Sequence, residues 1–76
     1  MNPLSEIPKH CKVKIEKIIG DLGNQERLHE LGFIPGSITS MIAKLPFNGP
    51  LAFKIHGTKL ALRKEDADCI LVSSLK

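Results

Sequence analysis

From residue 11 to 16 the chain reads CKVKIE, with Cys11, Val13 and Ile15 on one parity and Lys12, Lys14 and Glu16 on the other. Strict alternation is the mark of a β-strand with one buried face, which assigns Cys11 to the core side. Lys17-Ile18-Ile19 breaks the alternation and predicts a bulge or bend before Gly20. A helical stretch comes next, expected from Gln25 to about Leu31. Asn24 is its expected N-cap, Glu26 lies near its positive end, and Leu28 and Leu31 share a face. Two turns fall far short of the ~12–15 residues that are marginal alone. Packing over an open end of a sheet must hold this helix.

The next stretch, RLHELGFIPG, is heavily punctuated. Gly32 stands where a helix ends in a left-handed residue, a conformation glycine adopts without steric cost. In that motif Phe33 reaches back to Leu28 as a cap contact. Pro35 and Gly36 are the central residue types of a type II turn, and Ile34, preceding a proline, is pushed extended. The stretch therefore reads as a tight reversal from helix to strand.

Residues 37–45, SITSMIAKL, form another strand whose facing the pattern leaves open. Ile38, Ser40 and Ile42 lie on one parity and Thr39, Met41 and Ala43 on the other. PFNGP is a turn-rich loop. LAFKIH places Leu51, Phe53 and Ile55 against Ala52, Lys54 and His56; after Gly57, TKLALR turns Leu60 and Leu62 inward, so the pair reads as a hairpin. KEDAD is a polar turn or single helical turn in which Glu65, Asp66 and Asp68 are expected to be solvated, and CILV is a last short strand. At the start, Leu4 and Ile7 are the apolar positions able to pack down. The sum is a mainly β chain: about five short strands, with one short helix between the first two main strands, curled into a small, partly open barrel.

At 76 residues the chain is one domain, and it buries only about 60–65% of its unfolded surface. No apolar run approaches the ~20 residues that span a bilayer, and Glu6, Lys9 and His10 interrupt any leader-like segment. The expected address is the cytoplasm. There Cys11 and Cys69 remain thiols and serve as small core residues. A net charge of +3 suits an acidic partner, an anionic membrane face or a nucleic acid. Lys9, Lys12, Lys14 and Lys17 cluster near the start, as the solvated face of a strand would require.

Candidate chemistry is sparse. There is no GxxxxGK[ST], GxGxxG or GxSxG, and a core this small leaves little room for a deep pocket of ~300 Å3, so no enzyme is expected. His10, Cys11, His29, His56 and Cys69 could ligate a metal, but none falls in CxxC, HxxxH or HExxH spacing. No specific metal site and no cofactor are expected; a loosely held surface ion would meet His10, Cys11 or His56. Barrels that bind single-stranded nucleic acid present aromatic platforms, and this chain has no Trp, no Tyr and three Phe.

The order RL-x-x-LG-x-x-PG, then LPFNGPLAFKIHGTKLALRKEDADCILV, resembles the FeoA family, ferrous iron transport protein A. Leu28, Leu31, Gly32, Pro35 and Gly36 match its helix end and turn; Pro46, Phe47 and Pro50 match its loop; and Gly57, Leu60, Leu62, Arg63, Ala67, Ile70 and Val72 match the rest. The likeness runs over residues 4–72, with Asn48-Gly49 where the family has Gly-Asp. It implies an SH3-like barrel and favours Thr39 and Met41 as inward, with Ile38 and Ile42 nearer the surface. It further implies a cytosolic accessory to FeoB, the membrane transporter of ferrous iron that carries a GTP-binding domain. Similar domains end iron- or manganese-responsive repressors, after a helix-turn-helix absent from this sequence. Two other readings stand beside it: a metal-sensing domain that binds iron or manganese directly, and a nucleic-acid-binding barrel. The expected partner surface is Phe47 with Pro46, Lys44 and Ile42, steered by Lys12 and Lys14 if they share its side. Gly32, Pro35, Gly36 and Gly57 are the structural turns.

Overall fold

The computed structural model describes residues 1–75. Six strands form one antiparallel sheet: β1 (Asn2–Pro3), β2 (Lys12–Ile18), β3 (Ile38–Lys44), β4 (Leu51–Ile55), β5 (Thr58–Leu62) and β6 (Ile70–Ser74). Helix α1 (Leu22–Glu30) lies between β2 and β3, and a second, five-residue helix, α2 (Lys64–Asp68), between β5 and β6. A 3-10 turn covers Leu4–Glu6. The spatial order is β1-β6-β2-β3-β4-β5, so β2 is central and β5 is an edge. The strand missed by the sequence pattern is β1, whose two residues are too few to alternate; Asn2 and Pro3 pair with Val72 and Leu71.

The inner faces of the long strands converge on one cluster that includes Val13, Ile15, Met41, Phe53, Ile55, Leu62, Ile70 and Val72, joined by Leu28 and Phe33. Leu4 and Ile7 pack into it, and Leu60 lies partly buried against it. A single sheet whose strands share one core must curl around it, which gives the barrel-like form. Phe33 meets Phe53 edge to face, centroids 6.2 Å apart at 84°. That geometry suits the ring quadrupoles. Thr39 and Met41 point inward and Ile38 outward, as the family resemblance implied.

The break at Lys17 is a bulge: the β2–β6 register shifts between Ile15 and Lys17, which returns Ile18 to the core and leaves Ile19 out. Cys11 is not a core residue. His10 takes a left-handed φ of 69° and donates its N–H to the Met41 carbonyl, so β2 begins only at Lys12 and Cys11 stays exposed. Cys69 is half-buried; both cysteines are free thiols.

Helix α1 starts earlier than its expected cap. Asp21, not Asn24, holds the N-cap position, its carboxylate accepting from the Asn24 N–H at 2.8 Å. Glu26 consequently lies beyond the first turn. The other end matches the glycine signal. Gly32 has φ +109°, its N–H donates to the His29 carbonyl, and the Phe33 N–H donates to Leu28, both at 3.0 Å. These paired bonds are a Schellman cap. Gly36 has φ +94° and Ser37 closes the turn on the Ile34 carbonyl, while the Gly36 N–H donates to Ile15 and ties the reversal to β2. At the β4–β5 hairpin His56 and Gly57 both have positive φ, the requirement of a type I′ turn.

Candidate functional site

Strand β3 carries a second bulge: against β4 the register shifts between Met41 and Ala43, leaving half-buried Ile42 without a partner. The shift changes the parity of the residues beyond it. Lys44 now stands opposite core-facing Leu51 at the end of β3, whereas Lys12 and Lys14 project from the outer face of β2. Lys44 and the two β2 lysines are therefore not brought together.

Beyond Lys44 the loop closes on itself. Leu45 donates to the Pro50 carbonyl, and Gly49 donates to Pro46 around a turn whose central residues, Phe47 and Asn48, have φ of 60° and 57°. Asparagine tolerates that conformation, but for a bulky side chain it is strained. Phe47 is also 99% exposed, the most exposed of the large apolar residues. Beside it runs a mostly apolar groove of about 360 Å3, between the loop and Lys64, floored by Leu51 and Ser5. Its volume exceeds what the small core promised because it forms outside the core, against α2. Leu45, Ser5 and Lys64 were not legible as site residues, since only tertiary packing brings them to the loop.

The floor and wall of this groove are pinned by α2. Ser5 donates its hydroxyl to the Asp68 carboxylate, which also accepts from Lys64 Nζ at 3.1 Å. The Ser5 bond, followed by the Lys64 contacts and opposed by partial burial, holds the Asp68 carboxyl below its ordinary range. Asp66 is not solvated as expected. Its side chain is buried and ion-paired to Arg27 at 2.8 Å, with Arg63 at 3.7 Å, locking α1 to α2.

The histidines and cysteines do not converge. Among the described residues no three of His, Cys, Asp and Glu cluster as a metal would need. His10 is exposed in its left-handed turn, and His56 Nε2 lies 3.3 Å from Ser37 Oγ, with its ring over Gly32. No helix among the described residues is long and apolar enough to cross a membrane.

Comparison with known proteins decides the family. Residues 2–74 match the FeoA domain. The chain belongs to the FeoA family. Two solved FeoA structures illustrate the likeness. One is a FeoA-like protein of Clostridium acetobutylicum, 29% identical, TM-score 0.88, covering 99% of this chain and 87% of that one. The other is FeoA of Stenotrophomonas maltophilia in complex with zinc, described as a prokaryotic SH3 domain protein; it is 34% identical, TM-score 0.79, covering 92% and 87%. A manganese-dependent transcriptional repressor superposes with a TM-score of 0.88 at 20% identity, over 97% of this chain but 41% of that protein, and shares the fold alone. No curated protein matches the chain. The architecture of this FeoA-family chain is thus SH3-like, mainly β and open at one side of the sheet.

Proposed function

We propose that this chain is a non-enzymatic accessory module of ferrous iron uptake that binds the cytosolic part of a FeoB-type transporter through its 45–50 loop. The reading places it in the cytoplasm, recruited to the inner face of the membrane. The observation that carries it is Phe47: fully exposed, in a left-handed conformation, at the rim of an apolar groove. Strained residues persist where the surroundings over-determine them, and they concentrate at binding sites. Flanking Pro46 and Pro50 limit the entropy lost when the loop docks. The groove's own titratable side chains are Lys44 and Lys64, which provide no acid–base pair and suit a partner with acidic rim groups. Ile42 lies close by along the chain as the bulged residue of β3.

Phe47→Ala is expected to leave the thermal transition intact and to weaken association with the transporter's cytosolic domains by about 1–2 kcal/mol, the range of an aromatic hot spot. Paired melting and binding curves on the same variant check it, and undiminished binding refutes the loop as the contact. Titrating the chain with ferrous iron and with a single-stranded oligonucleotide tests the metal-sensing and nucleic-acid readings directly.

A further inference from the structure

The outer sheet face carries a second feature. Lys12 of β2 lies opposite Ser40 of β3, Ser40 opposite Lys54 of β4, and Lys54 opposite Lys59 of β5. Residues directly opposed in an antiparallel sheet share a face. Three exposed lysines and one serine therefore stand in a single row across four strands, with Lys14 opposite Ile38 in the adjoining row. Ion pairs among the described residues run from Arg27, Arg63 and Lys64 to Asp66 and Asp68, away from this row. The next acid along β2, Glu16, is engaged by the Ser73 hydroxyl.

Solvation of a strand face calls for polar residues, not for one sign of charge, and directly opposed like charges are destabilising. Lysine on an edge strand discourages sheet-to-sheet aggregation, which accounts for Lys59 on β5. Strands β2 and β4 are flanked on both sides, so Lys12 and Lys54 have no such role.

We propose that the row Lys12–Ser40–Lys54–Lys59 binds an extended acidic peptide segment. Neighbouring strands lie about 4.8 Å apart, so the row spans about 14 Å. Carboxylates at three alternate positions of an extended peptide span about the same length, at roughly 6.8 Å per step. A concavity of about 200 Å3, lined by Lys12, Ser40, Lys54 and His56 and walled by Ile38, has room for one carboxylate. The sheet curls around its core, so this face is convex. A flexible peptide follows that curvature, whereas a planar bilayer touches only part of the row. Both arginines, the side chains suited to bidentate phosphate, lie elsewhere on Asp66. Exposed Phe47 is off this face, which leaves no aromatic platform for bases. The inference rests on the reading of the chain as an interaction module but not on the identity of the transporter.

The test uses the full chain and a fluorescent peptide with glutamate at alternate positions, at low ionic strength. Amide chemical shifts of Lys12, Ser40, Lys54 and Lys59 are expected to move on titration. Lys12→Gln and Lys54→Gln should each weaken the peptide about two- to fivefold, and Lys17→Gln, beyond the β2 bulge and outside the row, should not. Lys54→Gln should also raise the melting temperature by roughly 2–4 °C, because it removes a repulsive pair; a lysine kept only for stability would not behave so. Phe47→Ala should bind the peptide as the parent does, so failure of transporter binding and failure of this row are separable. Equal peptide affinity in the lysine variants overturns the proposal. Tighter capture of phosphatidylglycerol vesicles or of an oligonucleotide by the same lysines overturns it as well.

Discussion

Glycine at two positions is dictated by backbone sign, but the two sites differ in what surrounds them. A Cβ on Gly32 would meet His56 Cδ2 at 3.2 Å in addition to the strain of φ +109°, whereas a Cβ on Gly36 would meet nothing within 4 Å. Left-handed backbone costs a side-chain-bearing residue roughly 1–2 kcal/mol. Gly36→Ala is therefore expected to lose about 1 kcal/mol, and Gly32→Ala the same or more, as the imidazole must give way. Urea denaturation of the two variants checks the order. A neutral Gly32→Ala would mean that α1 ends by some other means.

At the scale of elements, the two α-helices of the described residues are short and depend on each other. Nine residues of α1 and five of α2 cannot persist alone, and the Arg27–Asp66 pair joins them at 2.8 Å with the carboxylate almost wholly buried. Asp66→Ala is expected to cost about 1–3 kcal/mol in chemical denaturation, since it strips a buried charge-assisted contact from both helices. Asp68 ties α2 to the 3-10 turn. Its carboxyl is held below the ordinary value chiefly by the Ser5 hydroxyl, so its contribution is present above pH ~4 and fades as pH falls through the lowered folded-state value. Ser5→Ala should flatten that acid limb in melts recorded across pH while leaving the neutral-pH transition cooperative. An unchanged limb would assign the acid sensitivity to another carboxylate.

Across the whole molecule, stability comes from one apolar cluster closed by strand pairing, with neither cysteine bridged. Fully buried Phe33, Phe53, Leu4, Ile15 and Met41 come from separate segments, so the core is a joint product of residues spread along the chain. Thermal melts in chelator and in reductant are accordingly expected to overlay melts without them. Loss of cooperativity in chelator would transfer weight to the metal-sensing reading. On the outside, the groove beside Phe47 and the lysine row are two separate surfaces, because the β3 bulge turns Lys44 away from the face that Lys12 shares with Lys54. On the proposed reading, a partner is held by the aromatic anchor while charge engages elsewhere.

What the chain determined by itself is local. The Schellman cap at Gly32, the turn at Pro35-Gly36, the β4–β5 hairpin and the alternation of β2 and β4 depend on residues within a few positions of one another, where steric sign and side-chain period dominate. Phe47 was legible as a residue outside any strand pattern, and its loop as a turn. Tertiary structure decided the rest. Cys11 left the core because the left-handed His10 delays the strand, and Asp66 left solvent because Arg27 arrives from a helix far away in sequence. Likewise Lys12, Lys54 and Lys59 each read as an ordinary solvent-facing lysine. Only strand register, a relation between residues distant along the chain, sets them in one row.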